Sequence, residues 1–172
     1  MKTISELINI ALSDQKLNIL LFGPNPSPPS TDERIRKFQL KRDEIRQALE
    51  LEHVVNYGEE VVNPSLPPPY DNLFLQEIFL LQEYDLVINL ISGSGTVVET
   101  TMIAMKPDIA KKSHLFLDEN HIDSFVGQAC KAAQVIGAEF STFIYPTDID
   151  DCNLLGMVRE KVRALQYAKF LS

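Results

Sequence analysis

The sequence predicts an α/β fold with a parallel sheet, and three observations carry that expectation. Continuous apolar runs such as Lys16 to Phe22 and Tyr84 to Ile91 suit strands buried on both faces. Stretches of helical length separate these runs, so strands and helices alternate along the chain. A chain of 172 residues, 45% hydrophobic and 23% charged, fits one ordinary domain that can bury a core without staples.

The elements follow in order. Lys16 to Phe22 is the first strand and ends at Gly23-Pro24. Residues 25–31, with Pro26, Pro28 and Pro29, cannot be helical. Thr31 then offers an N-cap, Asp32 and Glu33 complement the positive helix end, and a long helix runs to about Leu51. Ile35, Phe38, Ile45 and Leu49 share its apolar face. His53 to Tyr57 is a short second strand, and Gly58 to Tyr70, holding Pro64 and Pro67-Pro68-Pro69, is a long loop of the kind that often binds or covers a site.

Asp71 can cap a helix running to about Glu83, after which Tyr84 to Ile91 is the third strand. Thr96 to Met105 reads as helix, stopped near Pro107, and Ser113 to Leu117 as the fourth strand. Asp123 to Ile136 is helical and ends at Gly137, a natural C-cap. Glu139 to Tyr145 is the last strand, closed by Pro146, and a final helix runs from Asp148 or Asp150 to near Phe170. This β-α alternation predicts a single Rossmann-like, flavodoxin-like three-layer domain over residues 1–172, with five strands in the order 2-1-3-4-5.

Composition narrows the function. A net charge of −8 opposes binding to a nucleic-acid backbone, whereas a small nucleotide needs only a few local donors. Cys130 and Cys152 stand far apart in no metal-like spacing, so reduced thiols in a cytoplasm are expected. The start, Met1-Lys-Thr-Ile-Ser-Glu-Leu7, has no long apolar region, and no later run could span a bilayer; a soluble cytoplasmic chain with no membrane partner is the expectation. His53, His114 and His121 are too scattered for a metal site, and no dinucleotide fingerprint, Walker loop or nucleophile elbow is present.

In open parallel sheets, ligands sit beyond the carboxyl ends of the strands where the strand order switches. Here that point lies between strands one and three, whose exit loops are Gly23-Pro24-Asn25-Pro26 and Ser92-Gly93-Ser94-Gly95-Thr96. Glycine in each lets backbone approach a ligand, and the second loop opens a helix whose free N–H groups attract anions. Gly23, Pro24 and Asn25, with Ser92, Gly93, Ser94, Gly95 and Thr96, are therefore the candidate substrate-binding residues.

Glu99, three residues beyond Thr96, has two readings. Thr-x-x-Glu is a capping box, in which both side chains satisfy backbone N–H groups. Alternatively the helix end keeps Glu99 ionised and aims it into the cleft, where a carboxylate can attack or stabilise an oxocarbenium-like sugar carbon.

Ser94-Gly95-Thr96-Val97-Val98-Glu99, after the strand Asp85-Leu-Val-Ile-Asn89, resembles the Ser-x-Gly-Thr-x-x-Glu region of nucleoside 2-deoxyribosyltransferases. It is also similar to the Pro-Gly-Gly-x-Gly-Thr-x-x-Glu signature of LOG phosphoribohydrolases and the wider SLOG group, and TIR-type NAD hydrolases share the logic of one catalytic Glu on a Rossmann-like domain. The resemblance implies N-glycosidic bond cleavage or transfer by Glu99. Leu21 to Asn25 matches the first substrate loop of such proteins in position and character. Ile91 and Ser92 stand where LOG proteins have Pro and Gly, and Thr100-Thr101 where deoxyribosyltransferases have Leu-Gly, so the likeness is to the superfamily and not to one member.

Four further residues enter as candidates. Asn89 lies inside the third strand, where a buried amide must find a partner and can orient the glycine loop. Arg34 can reach a phosphate at the first loop, although the cluster Arg34, Arg36, Lys37, Lys41 and Arg42 also reads as a solvated face paired with Asp43, Glu44 and Glu50. Asp71 can bind a base edge or cap its helix. His121, in the loop after strand four, is a candidate acid, whereas His114 adjoins a buried strand and reads as structural.

The leading expectation is a nucleoside or nucleotide N-glycosidase or N-glycosyl (deoxyribosyl) transferase. It would take a nucleoside, nucleotide or NAD-like ligand and need no metal or bound cofactor. A non-catalytic nucleotide sensor or regulatory subunit on the same scaffold is the alternative. A structural partner, with Thr96 and Glu99 only capping a helix, is a third reading. A homo-oligomer whose second copy supplies a lid stays open at this level.

Overall fold

The computed structural model describes residues 3–171, with the side chains of Ser5, Leu7, Asn9 and Ser94 outside that description. Its first element is a helix with no counterpart among the expected elements, α1 (Ile4–Ser13). Thr3 caps it, accepting from the Glu6 N–H while the Glu6 carboxylate accepts from the Thr3 N–H. Strand β1 (Asn18–Phe22) follows, then α2 (Glu33–Leu49), β2 (Val54–Tyr57), the single turn α3 (Gly58–Val61) and α4 (Leu73–Glu83). The chain continues through β3 (Leu86–Ile91), α5 (Ser94–Met105), α6 (Pro107–Ala110) and β4 (Ser113–Asp118). A 3₁₀ turn (Glu119–His121), α7 (Phe125–Val135), β5 (Glu139–Phe143), α8 (Thr147–Asp150) and α9 (Asn153–Leu171) complete it.

All five strands are parallel, in the order β2-β1-β3-β4-β5. The predicted order is the observed one. Every residue of β3 and β4 is buried, because helices cover both faces. Alternate side chains divide between two cores. Ile19 and Leu21 of β1 join Phe38, Ile45, Ile88, Phe116 and Leu154 on one face, with α2 and α9. Leu20 and Phe22 join Leu81, Val87, Ile103, Leu115 and Ala133 on the other, with α4, α5 and α7.

Several boundaries differ from expectation for identifiable reasons. Asp32, not Thr31, caps α2, its carboxylate accepting from the Ile35 N–H at 3.0 Å. Asn72, not Asp71, caps α4 through the Leu75 N–H at 3.2 Å. Pro107 ends α5 but also starts α6, since a proline suits the first turn of a helix. The expected final helix is two helices, α8 and α9. At the break the Asp151 carboxylate accepts from the Asn153 N–H at 2.8 Å. His114 is structural as expected: its Nε2 pairs with Ser141 Oγ at 2.8 Å, its ring stacks on Phe116, and burial pushes its pKa down to about 4. Among the described residues, no helix is long and apolar enough to cross a membrane.

Gly127 shows how closely α7 seats against the turn before it. A Cβ there would lie 2.1 Å from the Ile122 carbonyl oxygen and 2.7 Å from that of His121, both backbone atoms. Gly127→Ala should therefore cost about 2 kcal/mol of stability through overpacking. Equal urea midpoints for the variant and the parent would show that this turn yields freely.

Candidate functional site

The register Phe22↔Asn89 brings the ends of β1 and β3 together, and both exit loops leave the same edge of the sheet. The first loop is fixed from beneath by α2. Arg42 donates to the Leu21 carbonyl at 2.6 Å and to the Pro24 carbonyl at 3.1 Å. The Gln39 amide donates to the Asn25 carbonyl and to that of Pro28, while its oxygen accepts from the Ser30 N–H at 2.8 Å. The Asn25 side chain is occupied within the loop, accepting from the Ser27 N–H. Gly23 has φ +155°, and a Cβ on it would meet the Arg42 stem at 2.9 Å. Its missing side chain makes room for the protein's own arginine, not for a ligand.

The second loop is closed by Thr96. Helix α5 begins at Ser94 with Gly93 as its N-cap, so Thr96 is the third helical residue. Its hydroxyl accepts from the Ser92 N–H at 3.0 Å and the Gly93 N–H at 3.1 Å, and donates to the Gly93 carbonyl at 2.8 Å. Asn89 supports this turn from within the sheet. Its amide donates to the Thr96 carbonyl at 3.2 Å and to Thr100 Oγ1 at 3.0 Å, and Thr100 donates to the same carbonyl. The expected role of Asn89 in orienting the glycine loop is what these bonds perform. A Cβ built on Gly93 or Gly95 would meet nothing within 4 Å, so this loop borders open space. Of the candidates here, the Ser94 side chain lies outside the described residues.

This geometry changes the meaning of Glu99. It is the sixth residue of α5, in the second turn, and not the partner of a cap at Thr96. The Thr96 hydroxyl, not the Glu99 carboxylate, folds back onto the loop amides. Glu99 Oε2 is buried without a hydrogen-bond partner. Burial raises the Glu99 pKa to about 7, the Glu77 charge on α4 and the Glu59 charge on α3 raise it too, and Arg42 acts in the opposite sense. The helix end therefore does not hold Glu99 ionised, as had been expected from a first-turn position.

Arg42, Glu59 and Glu77 surround this carboxyl, and none was expected there. Arg42 is fully buried and makes a bidentate pair with Glu59 at 2.7 and 2.8 Å, with its guanidinium 4.1 Å from the Tyr57 ring. Lys41 is also buried, pairing with Glu44 and donating to the Asp151 carbonyl. The solvated-face reading of the basic cluster fails for these two side chains. Burial raises the Glu77 pKa as well. The signals were present in the spacing: Arg42 falls on the stripe Phe38, Ile45 and Leu49, and Glu77 lies one turn before the buried Leu81.

The remaining candidates are not gathered at Glu99. Arg34 pairs with Asp118 at the end of β4 at 2.6 Å and lies 4.5 Å from the Tyr145 ring, which commits its guanidinium to the protein. Asp71 is exposed in the loop before α4. The exposed His121 ring sits in the 3₁₀ turn after β4 and makes no hydrogen bond or ion pair among the described residues. No family model matches the chain, and no curated protein matches its sequence.

Proposed function

We propose that this chain cleaves or transfers the N-glycosidic bond of a nucleoside, a nucleotide or an NAD-like dinucleotide, with Glu99 as the carboxylate that meets the sugar. The observation that carries this reading is the state of Glu99: half-buried, unused as a cap, with its Oε2 buried and unpaired, at the switch point between β1 and β3. A structural carboxylate so placed should have found a partner. The resemblance of Ser94 to Glu99 to the deoxyribosyltransferase and LOG regions points the same way.

In the reaction, the C1′–N bond breaks and its electron pair leaves with the base. Ionised Glu99 captures or stabilises the cationic C1′, and water or a second base then closes the sugar. The departing base takes up a proton from water. The amides bordering Gly93 and Gly95 face the open side, where ribose or phosphate oxygens can be held.

Incubation with a nucleoside and nucleotide panel, followed by chromatography for free base, tests the reading. The parent chain should release base from at least one member, and Glu99→Gln should bind that ligand with turnover reduced at least about a hundredfold. Unchanged turnover in the variant excludes the mechanism. Ligand binding with no base released by either protein assigns the cleft to a nucleotide sensor.

A further inference from the structure

The charges around Glu99 narrow what the cleft can hold. Among the described residues, the charged side chains that act on Glu99 are Glu77 from α4, Glu59 from α3 and Arg42 from α2. Arg42 is already committed. Its Nη1 donates to the Pro24 carbonyl and to one Glu59 oxygen, its Nη2 to the Leu21 carbonyl and to the other. That pair cancels one acid against the one cation. Glu77 and Glu99 stay as two carboxyls within electrostatic reach of each other, and Glu99 Oε2 has no partner.

The other basic side chains beside the first loop are committed as well. Arg34 pairs with Asp118, Lys37 with Asp150, Lys41 with Glu44 and Arg46 with Glu60. Arg36 is exposed, and its two-residue offset from the buried Phe38 turns it to the outer side of α2. At the second loop, the Ser92 and Gly93 N–H groups already donate to the Thr96 hydroxyl. A phosphate dianion placed here would meet Glu77 and Glu99, with the basic groups of α2 paired elsewhere or turned away.

The leaving group adds an independent constraint. A neutral base that departs with the C1′–N electron pair must take a proton from water. A base whose glycosidic nitrogen is quaternary needs none, because the electron pair itself neutralises the ring. Its positive charge also draws it toward paired carboxyls. Resting on the reading of Glu99 as the carboxylate that meets the sugar, we propose that the substrate is a phosphate-free nucleoside with a cationic base, its charge balanced by Glu77 and Glu99. The C1′–N bond breaks, its electron pair leaves on the now neutral base, and Glu99 bonds to C1′. Water then displaces Glu99, releasing the free sugar and one proton. The bound cation favours the ionised form of Glu99, so substrate arrival itself readies the carboxylate.

Nicotinamide riboside, nicotinamide mononucleotide and inosine, incubated with the full chain at pH 8 and followed by chromatography for free base, test the assignment. The mononucleotide adds a phosphate to the same leaving group, and inosine carries a neutral base. The riboside should exceed both in kcat/KM by at least about tenfold, the effect of one nearby charge. Because a cationic base is also the better leaving group, the deciding variant is Glu77→Gln. It should cut the riboside-to-inosine ratio by about tenfold. The proposal is overturned if the mononucleotide matches the riboside, if inosine is the better substrate, or if Glu77→Gln leaves the ratio unchanged. Base released from other nucleosides or nucleotides, but not from the riboside, overturns this assignment alone. No base from any of them, or full riboside turnover by Glu99→Gln, overturns the reading of Glu99 as well.

Discussion

Arg42→Met should destabilise the chain by about 3 to 4 kcal/mol, seen as a lower urea midpoint with an unchanged slope. The substitution keeps the length and apolar character of the stem, so the loss isolates the guanidinium. Its removal strips donors from the Leu21 and Pro24 carbonyls and leaves Glu59 without its bidentate partner. Breaking a buried pair from one side costs several kcal/mol because the other charge is left uncompensated. The Glu59 side chain is 35% exposed and can recover water, which holds the cost toward the lower end of that range. Glu59→Gln should also destabilise, since it leaves a fully buried cation against neutral acceptors. The double variant should then lose clearly less than the sum of the singles, a coupling of about 2 kcal/mol. A loss below about 1 kcal/mol for Arg42→Met would show that the carbonyls find other donors and that the pair does not hold the first loop.

The contrast between Arg42 and the sheet shows what the sequence discloses and what it hides. Strand order was legible because β1 and β3 are mainly apolar and β4 carries Leu115-Phe116-Leu117, and such runs, separated by helices, have few parallel arrangements. Arg42 was hidden by its charge. Five basic residues in one helix suggest a wet face, yet the spacing places Arg42 on the apolar stripe, and only the fold supplies the Glu59 carboxylate that makes its burial tolerable. Glu99 was ambiguous for a different reason. Whether it caps or stands free depends on where α5 begins, and that start is decided by a contest between hydroxyl and carboxylate for the same loop amides. The Thr96 hydroxyl wins, accepting from both Ser92 and Gly93. The helix α1 was legible in principle, since Thr3-x-x-Glu6 is the same capping pattern weighed at Thr96. Glu77 needed the fold to bring α4 within electrostatic reach of Glu99 to acquire meaning, because a lone acid within an apolar helix names no partner.

The ionisation of Glu99 should appear twice, in stability and in rate, with opposite slopes. An unfolded Glu99 loses its proton near 4.5, whereas the folded carboxyl keeps its proton to about 7. Between those values the folded state binds more protons than the unfolded state, so stability falls as pH rises through this window and levels off above it. The loss amounts to about 3 kcal/mol, at 1.36 kcal/mol for each unit of displacement. Glu99→Gln cannot ionise and should escape this slope: similar to the parent near pH 4.5, it should be more stable by about 3 kcal/mol at pH 8. Catalysis runs the other way. If ionised Glu99 meets the sugar, kcat/KM should climb about tenfold per unit below pH 7 and flatten above it. Glu77→Gln separates the cause from coincidence, because it removes a negative charge that raises the Glu99 pKa. Both the stability loss and the rate limb should then move together to lower pH. A parent whose urea midpoint does not change between pH 5 and pH 8 would contradict a Glu99 kept protonated by its surroundings. A rate limb that stays in place while the stability transition moves would mean that another group carries the reaction.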